Sequence, residues 1–226
     1  MNFEHYYDEH WLSRSDYFLH HRERFLQTWA CLEDGFLSRV GTVLDVGGVG
    51  PVAEYLSTLG WQVAQSTQDL RGPLALQTGS FDLILCTETI EHIKDQDSDR
   101  ITDLEKFNYS GVRNMLDELA RAMCDDGHLL ITTPNACSLH TLSKWLHGEL
   151  LLMDPSHVRE FTLAELERVA QGSSLVAVYS RVVNSWSADP LLDAEFIRKL
   201  TSLSPGFEAI SHGDNIIAVF RKAPGQ

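Results

Sequence analysis

The stretch VLDVGGVGP, Val43 to Pro51, constrains the fold more than any other part of the chain. A β-branched and leucine-rich run from Val40 to Val46 reads as a buried strand, carries an acid at Asp45 and passes directly into glycines. Pro51 suits the first turn of a helix, where its missing N–H is no loss, and Gly60 stops that helix after Leu59. Strand, glycine loop and helix in immediate succession form the opening unit of a parallel α/β sheet.

The remainder alternates in the same way. Trp61 to Ser66, Phe81 to Cys86 (FDLILC) and His128 to Thr133 (HLLITT) read as further strands. Between the last two, Ser110 to Met123 places Val112, Met115, Leu116, Leu119 and Met123 on one helical face, ended by DDG. After TPN, Ser138 to His147 and Thr162 to Ala170 are helical, the second opened by a capping box of Thr162 and Glu165. Leu175 to Val183 and Ile216 to Arg221 close the chain as strands, with a polar loop and a helix near Leu191 to Leu200 between them. Upstream, Phe18, Phe25, Trp29, Leu32 and Phe36 share one face of a helical lead-in over Ser13 to Phe36. The expectation is one domain over 1–226, with a helical lead-in (1–39) and an α/β core (40–226).

Composition narrows the partners. A chain of 226 residues with 43% hydrophobic composition can bury one sizeable core. Its formal charge of -14 repels phosphate backbones, so a small or cationic ligand suits it better than nucleic acid. No apolar run approaches the roughly 18 residues of a membrane span, and Met1 to Leu12 is too polar and acidic for a signal peptide, so a cytoplasmic protein is expected. Cys31, Cys86, Cys124 and Cys137 show no C-x-x-C pairing and read as buried free thiols. The run Lys94 to Lys106 reads as a solvated loop.

Four motifs, VLDVGGVG, FDLILCTETIEH, DDGHLLITTPN and HVREFTLAEL, occur in the order and approximate spacing of class I S-adenosylmethionine-dependent methyltransferases. From about Gly41 to Lys222 the chain resembles the subgroup that includes ubiquinone-pathway O-methyltransferases. The resemblance implies a doubly wound, Rossmann-like, mostly parallel sheet with an antiparallel last strand, and a cofactor over the carboxyl ends of the strands. It implies that Asp45, Gly47, Gly48 and Gly50 bind S-adenosylmethionine, with Thr87 and Glu88 lining the same pocket. The family loop reads D-x-G-x-G-x-G, and a one-residue shortening here restores its later glycines as Gly48 and Gly50. The acid that usually ends the second strand and grips the ribose is absent. WQVAQSTQDL puts Thr67 near that place and offers Asp69 two residues later, as an adenosine contact or as a loop acid. Thr67 to Ser80 is also too short for the ordinary helix and strand, so the adenosine half is expected to be cut down.

CTETIEH carries the remaining chemistry. Glu88, Glu91 and His92 stand at i, i+3 and i+4, which on a helical turn gives one face and a possible metal site. A similar E-x-x-E-H arrangement binds a divalent metal in some ubiquinone O-methyltransferases and, with a later histidine, in small-RNA 3′-terminal 2′-O-methyltransferases. His157 of HVREF matches that histidine. Two carboxylates and two imidazoles suit zinc, manganese or iron(II) better than magnesium. The alternative is that Glu88 and His92 line the cofactor pocket while Glu91 pairs with Arg159. His157 or His92 is placed to take an acceptor's proton, and Asn135 of TPN to orient the acceptor through its amide. The segments His10 to Tyr17 and Phe107 to Tyr109 are candidates to roof the pocket. His5, His10, His20, His21 and His140 share no such constellation and are expected to face solvent or hydrogen-bond locally. The expected activity is methyl transfer to a small-molecule acceptor, at oxygen before nitrogen. Terminal 2′-O-methylation of RNA, opposed by the charge, and a methyltransferase-like module that binds without turnover are the alternatives.

Overall fold

The computed structural model describes residues 1–37, 39–95, 109–185 and 194–224. A sheet of six strands forms its centre: β1 (Thr42–Val46), β2 (Gln62–Ser66), β3 (Phe81–Thr87), β4 (Met123–Pro134), β5 (Leu175–Val183) and β6 (Asn215–Lys222), in the order β2-β1-β3-β4-β6-β5. The first four are mutually parallel, and β6 runs antiparallel to β4 and β5. This is the doubly wound, mostly parallel sheet with an antiparallel last strand that the motifs imply. The chain steps from β1 outward to β2, then crosses back to β3 on the other side. The carboxyl ends of β1 and β3 therefore flank a topological switch point, the place where open α/β sheets take ligands.

Strand periodicity sends alternate residues to two apolar layers. Leu44, Ile84, Cys86 and Ile131 join the layer beneath α5 (Ser110–Ala122) and α7 (Leu163–Gln171). Val43, Leu83, Leu85 and Leu130 join the layer beneath α1 (Phe3–His10), α3 (Arg22–Glu33) and α4 (Pro51–Thr58). The helices end where the sequence signals ask. Thr162 Oγ1 accepts from Glu165 N at 3.1 Å at the start of α7. Ser138 Oγ accepts from Thr141 N at 3.0 Å at the start of α6 (Leu139–His147), which stops at Gly148 with φ +69°.

Three expectations are revised. The lead-in is two helices, α2 (Asp16–His20) and α3, preceded by α1, whose Phe3 ring stacks on Trp29 at 5.1 Å. Phe36, just past α3, packs on His128 near the start of β4, so the opening turn of α3 lies toward the strands' carboxyl ends. α5 stops at Ala122 instead of at DDG, because Met123 is buried and already pairs with Phe81 of β3. DDG forms the irregularity between that pair and the next, Leu83 with His128. Cys31 and Cys86 are buried as expected, whereas Cys124 is half-buried and Cys137 exposed; all four are free. Residues 67–80 contain neither helix nor strand, which leaves β2 at the sheet edge. The helix expected near Leu191 is α8 (Ala194–Leu203). Most of the charged run after Lys94, and Phe107, lie outside the described residues. Among the described residues no helix is long and apolar enough to cross a membrane.

Candidate active site

Asp45 points toward the α4 side of β1 and is 2% exposed. Its carboxyl is pushed up to about 7 by burial, an effect only partly offset by the Gly50 N–H that it accepts at 2.8 Å. Gly47 and Gly48 adopt φ +97° and +130°, which side-chain-bearing residues rarely hold. A Cβ on Gly47 would also stand 3.2 Å from Thr89 Oγ1. Gly50 is the N-cap of α4 and Pro51 its first residue. The shortened loop thus keeps its tight turn and presents backbone at a helix start, the geometry that lets a ligand approach closely.

Glu88, one residue past β3, has φ +47°, a left-handed conformation uncommon for a glutamate. That backbone turns its carboxylate away from the neighbours expected to share its face. Oε1 accepts from Thr132 Oγ1 at 2.8 Å and Asn215 Nδ2 at 3.0 Å, and Oε2 lies 3.1 Å from Arg24 Nη1. The helical-turn expectation for Glu88, Glu91 and His92 is corrected accordingly: only Ile90–His92 forms a turn, of 3-10 type.

Glu91, His92 and His157 do converge, with one ligand atom from each within 4.8 Å of the others. Glu91 is 0% exposed, and burial, then the charge of Glu88, hold its carboxyl well above the usual range. Its Oε2 accepts from Thr133 Oγ1 at 3.0 Å, while the buried Oε1 has no partner. His92 Nε2 lies 4.0 Å from that orphaned oxygen. His92 Nδ1 sits 3.3 Å from the Ser156 carbonyl, which can only accept, so Nδ1 is the donor of that pair and Nε2 is the nitrogen turned to Glu91. His157 Nδ1 is fixed in the same sense by Glu160 Oε1 at 2.8 Å. A histidine whose Nδ1–H is held by a carboxylate or carbonyl is the usual arrangement behind a metal-ligating Nε2. Two imidazoles and one carboxylate with an unpaired buried oxygen fit a divalent ion, and Glu88 is not one of the group.

Other expected residues fall elsewhere. Asn135 is buried and engaged on both sides of its amide: Nδ2 donates to Gly213 O at 2.8 Å and Oδ1 accepts from Cys137 N at 3.1 Å. It fixes the loop after β4 in place of the expected acceptor contact. Arg159 pairs with Asp95 at 2.7 Å, not with Glu91; the Glu91 carbonyl instead accepts from Val158 N at 2.9 Å. Asp69 is exposed in a turn, its carboxylate gripped by Arg71 Nε and Nη2 at 2.9 and 2.8 Å. Tyr109 donates to Glu165 at 2.6 Å, and Tyr17 meets Arg24 at 2.7 Å. His21, expected to be incidental, contacts Arg24 and is pushed down to about 4 by burial and then by that guanidinium. Arg24 and Glu160 were not anticipated. Glu160 sits inside HVREF, three residues after His157, whereas Arg24 had only its place beside Phe25 to mark it.

The sheet order, the antiparallel last strand and the glycine loop at the switch point define a Rossmann-like methyltransferase architecture. The chain belongs to the family described as a methyltransferase domain, whose model matches residues 18–179. It is a class I S-adenosylmethionine-dependent methyltransferase, a membership that supports S-adenosylmethionine as the cofactor. A S-adenosylmethionine-dependent methyltransferase of Archaeoglobus fulgidus is 15% identical, with TM-score 0.55 over 88% of this chain and 94% of that one. One from Thermotoga maritima is 16% identical, with TM-score 0.54 over 98% and 100%. The methyltransferase in a complex with the Haloferax volcanii Trm112 activator is 12% identical, with TM-score 0.53 over 100% and 99%. At such identities the likeness speaks for the fold alone. No curated protein matches the sequence.

Proposed function

We propose that the enzyme transfers the methyl group to a hydroxyl oxygen of a small-molecule acceptor, with Glu91, His92 and His157 holding one divalent ion beside that oxygen. The observation that carries this reading is the orphaned Glu91 Oε1, 4.0 Å from His92 Nε2, in a group that also brings in His157 and in which both histidines already commit Nδ1. When bound, such an ion lowers the pKa of a coordinated hydroxyl. In the transfer the carbon–sulfur bond breaks, a carbon–oxygen bond forms, and the hydroxyl proton departs. His92 is 42% exposed, so the group borders solvent, which takes the proton directly while both histidines stay on the ion.

Asp45, Gly47, Gly48, Gly50, Thr87 and Glu88 are proposed to contact the cofactor, with the carboxylates opposing the sulfonium's positive charge. Asp69 is proposed to reach the ribose by exchanging Arg71 for the hydroxyls. The resemblance to ubiquinone-pathway O-methyltransferases supports oxygen as the acceptor atom. A formal charge of -14 speaks against an RNA acceptor. Four free thiols support a reducing, cytoplasmic setting. Elemental analysis of the purified protein tests the reading: close to one equivalent of a transition metal is expected, and failure to bind zinc, manganese or magnesium on dialysis with cofactor present removes the ion from it.

A further inference from the structure

Arg24 lies on the apolar face of α3, next to Phe25, and is only 4% exposed. A guanidinium so buried persists where fixed partners replace water. Its partners lie around the strand ends. Nη1 is 3.1 Å from Glu88 Oε2 and 3.3 Å from His21 Nδ1, and Nη2 donates to the Tyr17 hydroxyl at 2.7 Å. Burial is the largest single influence and pulls Arg24 down, but the charge of Glu88, the Tyr17 hydroxyl and the charge of Glu91 together outweigh it and hold the guanidinium above its ordinary value. Through the Glu88 oxygen that Thr132 and Asn215 share, this one carboxylate ties the N-terminal helices to β3, β4 and β6 together. The left-handed backbone at Glu88, a conformation with an intrinsic cost, is what presents the carboxylate to Arg24.

We propose that Arg24 is a positioning residue for the transfer reaction, fixing the Glu88 carboxylate at the cofactor and coupling the docking of α2 and the start of α3 to cofactor binding. The proposal rests on the reading of Glu88 as a cofactor contact. Arg24 sets its charge 3.1 Å from Glu88 Oε2, opposite a carboxylate that stands near the fully buried Glu91. By linkage, a cofactor that prefers a fixed Glu88 must in turn hold the docked helices down.

Hydrogen–deuterium exchange on the wild type, with and without S-adenosylhomocysteine, tests that reciprocity. Amides from Tyr17 to Phe25 should slow at least tenfold with the ligand. In calorimetry with the same ligand, Arg24→Gln should weaken binding at least tenfold. Arg24→Lys should regain part of the loss, since an ammonium still meets Glu88 but does not span Tyr17 and His21 with a planar fork. The double variant Arg24→Gln with Glu88→Gln separates positioning from mere support. Removing the unpaired buried charge should recover the melting temperature while affinity stays low. Recovery of both, unchanged exchange from Tyr17 to Phe25, or wild-type affinity in a folded Arg24→Gln protein would overturn the proposal. If Arg24→Gln does not fold, the exchange measurement and Arg24→Lys decide. Wild-type protein that binds no S-adenosylhomocysteine defeats the cofactor reading itself, a result seen before any variant is made.

Discussion

The backbone N–H of Gly50 donates to Asp45 Oδ2 at 2.8 Å, so the acid of β1 also closes the loop that follows it. Loss of that carboxylate should therefore loosen the loop as well as remove a charge. S-adenosylhomocysteine at about a hundredfold excess over Kd should stabilise the wild type by about 2.7 kcal/mol, or roughly 5 to 10 °C in melting temperature for a chain of this length. Asp45→Ala should erase most of that shift in thermal melts. A full shift in the variant would remove Asp45 from the cofactor site.

The same residue sets a pH dependence. Burial raises the Asp45 carboxyl from 3.8 to about 7, so the folded state holds a proton that the unfolded chain releases. Between pH about 4 and about 7 the folded state binds more protons, and stability of the cofactor-free protein should fall as pH rises, by at most about 4 kcal/mol. Asp45→Asn still offers an oxygen to Gly50 N–H but cannot ionise. Urea titrations across that window should show a flatter profile in the variant, and parallel profiles would assign the dependence to other groups.

Because Glu88 is turned to Arg24, it and His157 should behave differently toward the ion. His157→Ala should abolish stoichiometric metal, whereas Glu88→Gln should retain it. Equilibrium dialysis with manganese or zinc reads both without knowledge of the acceptor. Metal lost equally in both variants would return Glu88 to the ligand set.

Asp69 and Arg71 form an exposed pair, and such pairs add little to stability. Asp69→Asn should leave the melting temperature of the cofactor-free protein within about 1 °C. If its carboxylate takes the ribose hydroxyls, cofactor affinity should drop by about 1.5 to 3 kcal/mol in calorimetry. Unchanged affinity would leave Asp69 a turn residue.

Asn135 offers the converse test. Its amide serves two backbone groups, the buried Gly213 carbonyl and the part-buried Cys137 N–H, which Asn135→Ala would leave without that partner. A loss of about 2 to 4 kcal/mol in chemical denaturation is expected, with cofactor affinity of the folded protein retained. Weakened cofactor affinity without lost stability would make Asn135 a cofactor contact in place of a loop support.

Much of the core was legible because local signals agreed with the sheet. Pro51, Thr162 and Gly60 mark helix limits by local chemistry that needs no distant partner. FDLILC and HLLITT could only be buried strands flanked by helices. The site was legible in part. His92 and His157 were readable from motif spacing, but Glu88 was assigned by helical periodicity, and its φ of +47° breaks that period in a single residue. Arg24 was hidden for a related reason: its partner lies 64 positions away, and a charged residue on an apolar face has meaning only once that partner is in place. α1 escaped notice although its buried residues, Phe3, Tyr6 and Tyr7, stand at i, i+3 and i+4, because a single turn is too short a run to declare a helix by periodicity.

The truncated connection after β2 has a cost outside chemistry. With no further strand beyond it among the described residues, β2 leaves ladder groups facing outward, and such a border is a template for strand addition by a second chain. Two features blunt it: β2 is only five residues long, and Gln62 and Gln65 are exposed along it. Valine at both positions would give VVAVS, an uncharged, strongly β-forming segment of the kind that seeds aggregates. Trimming the adenosine half has thus moved a burden of colloidal solubility onto two glutamines.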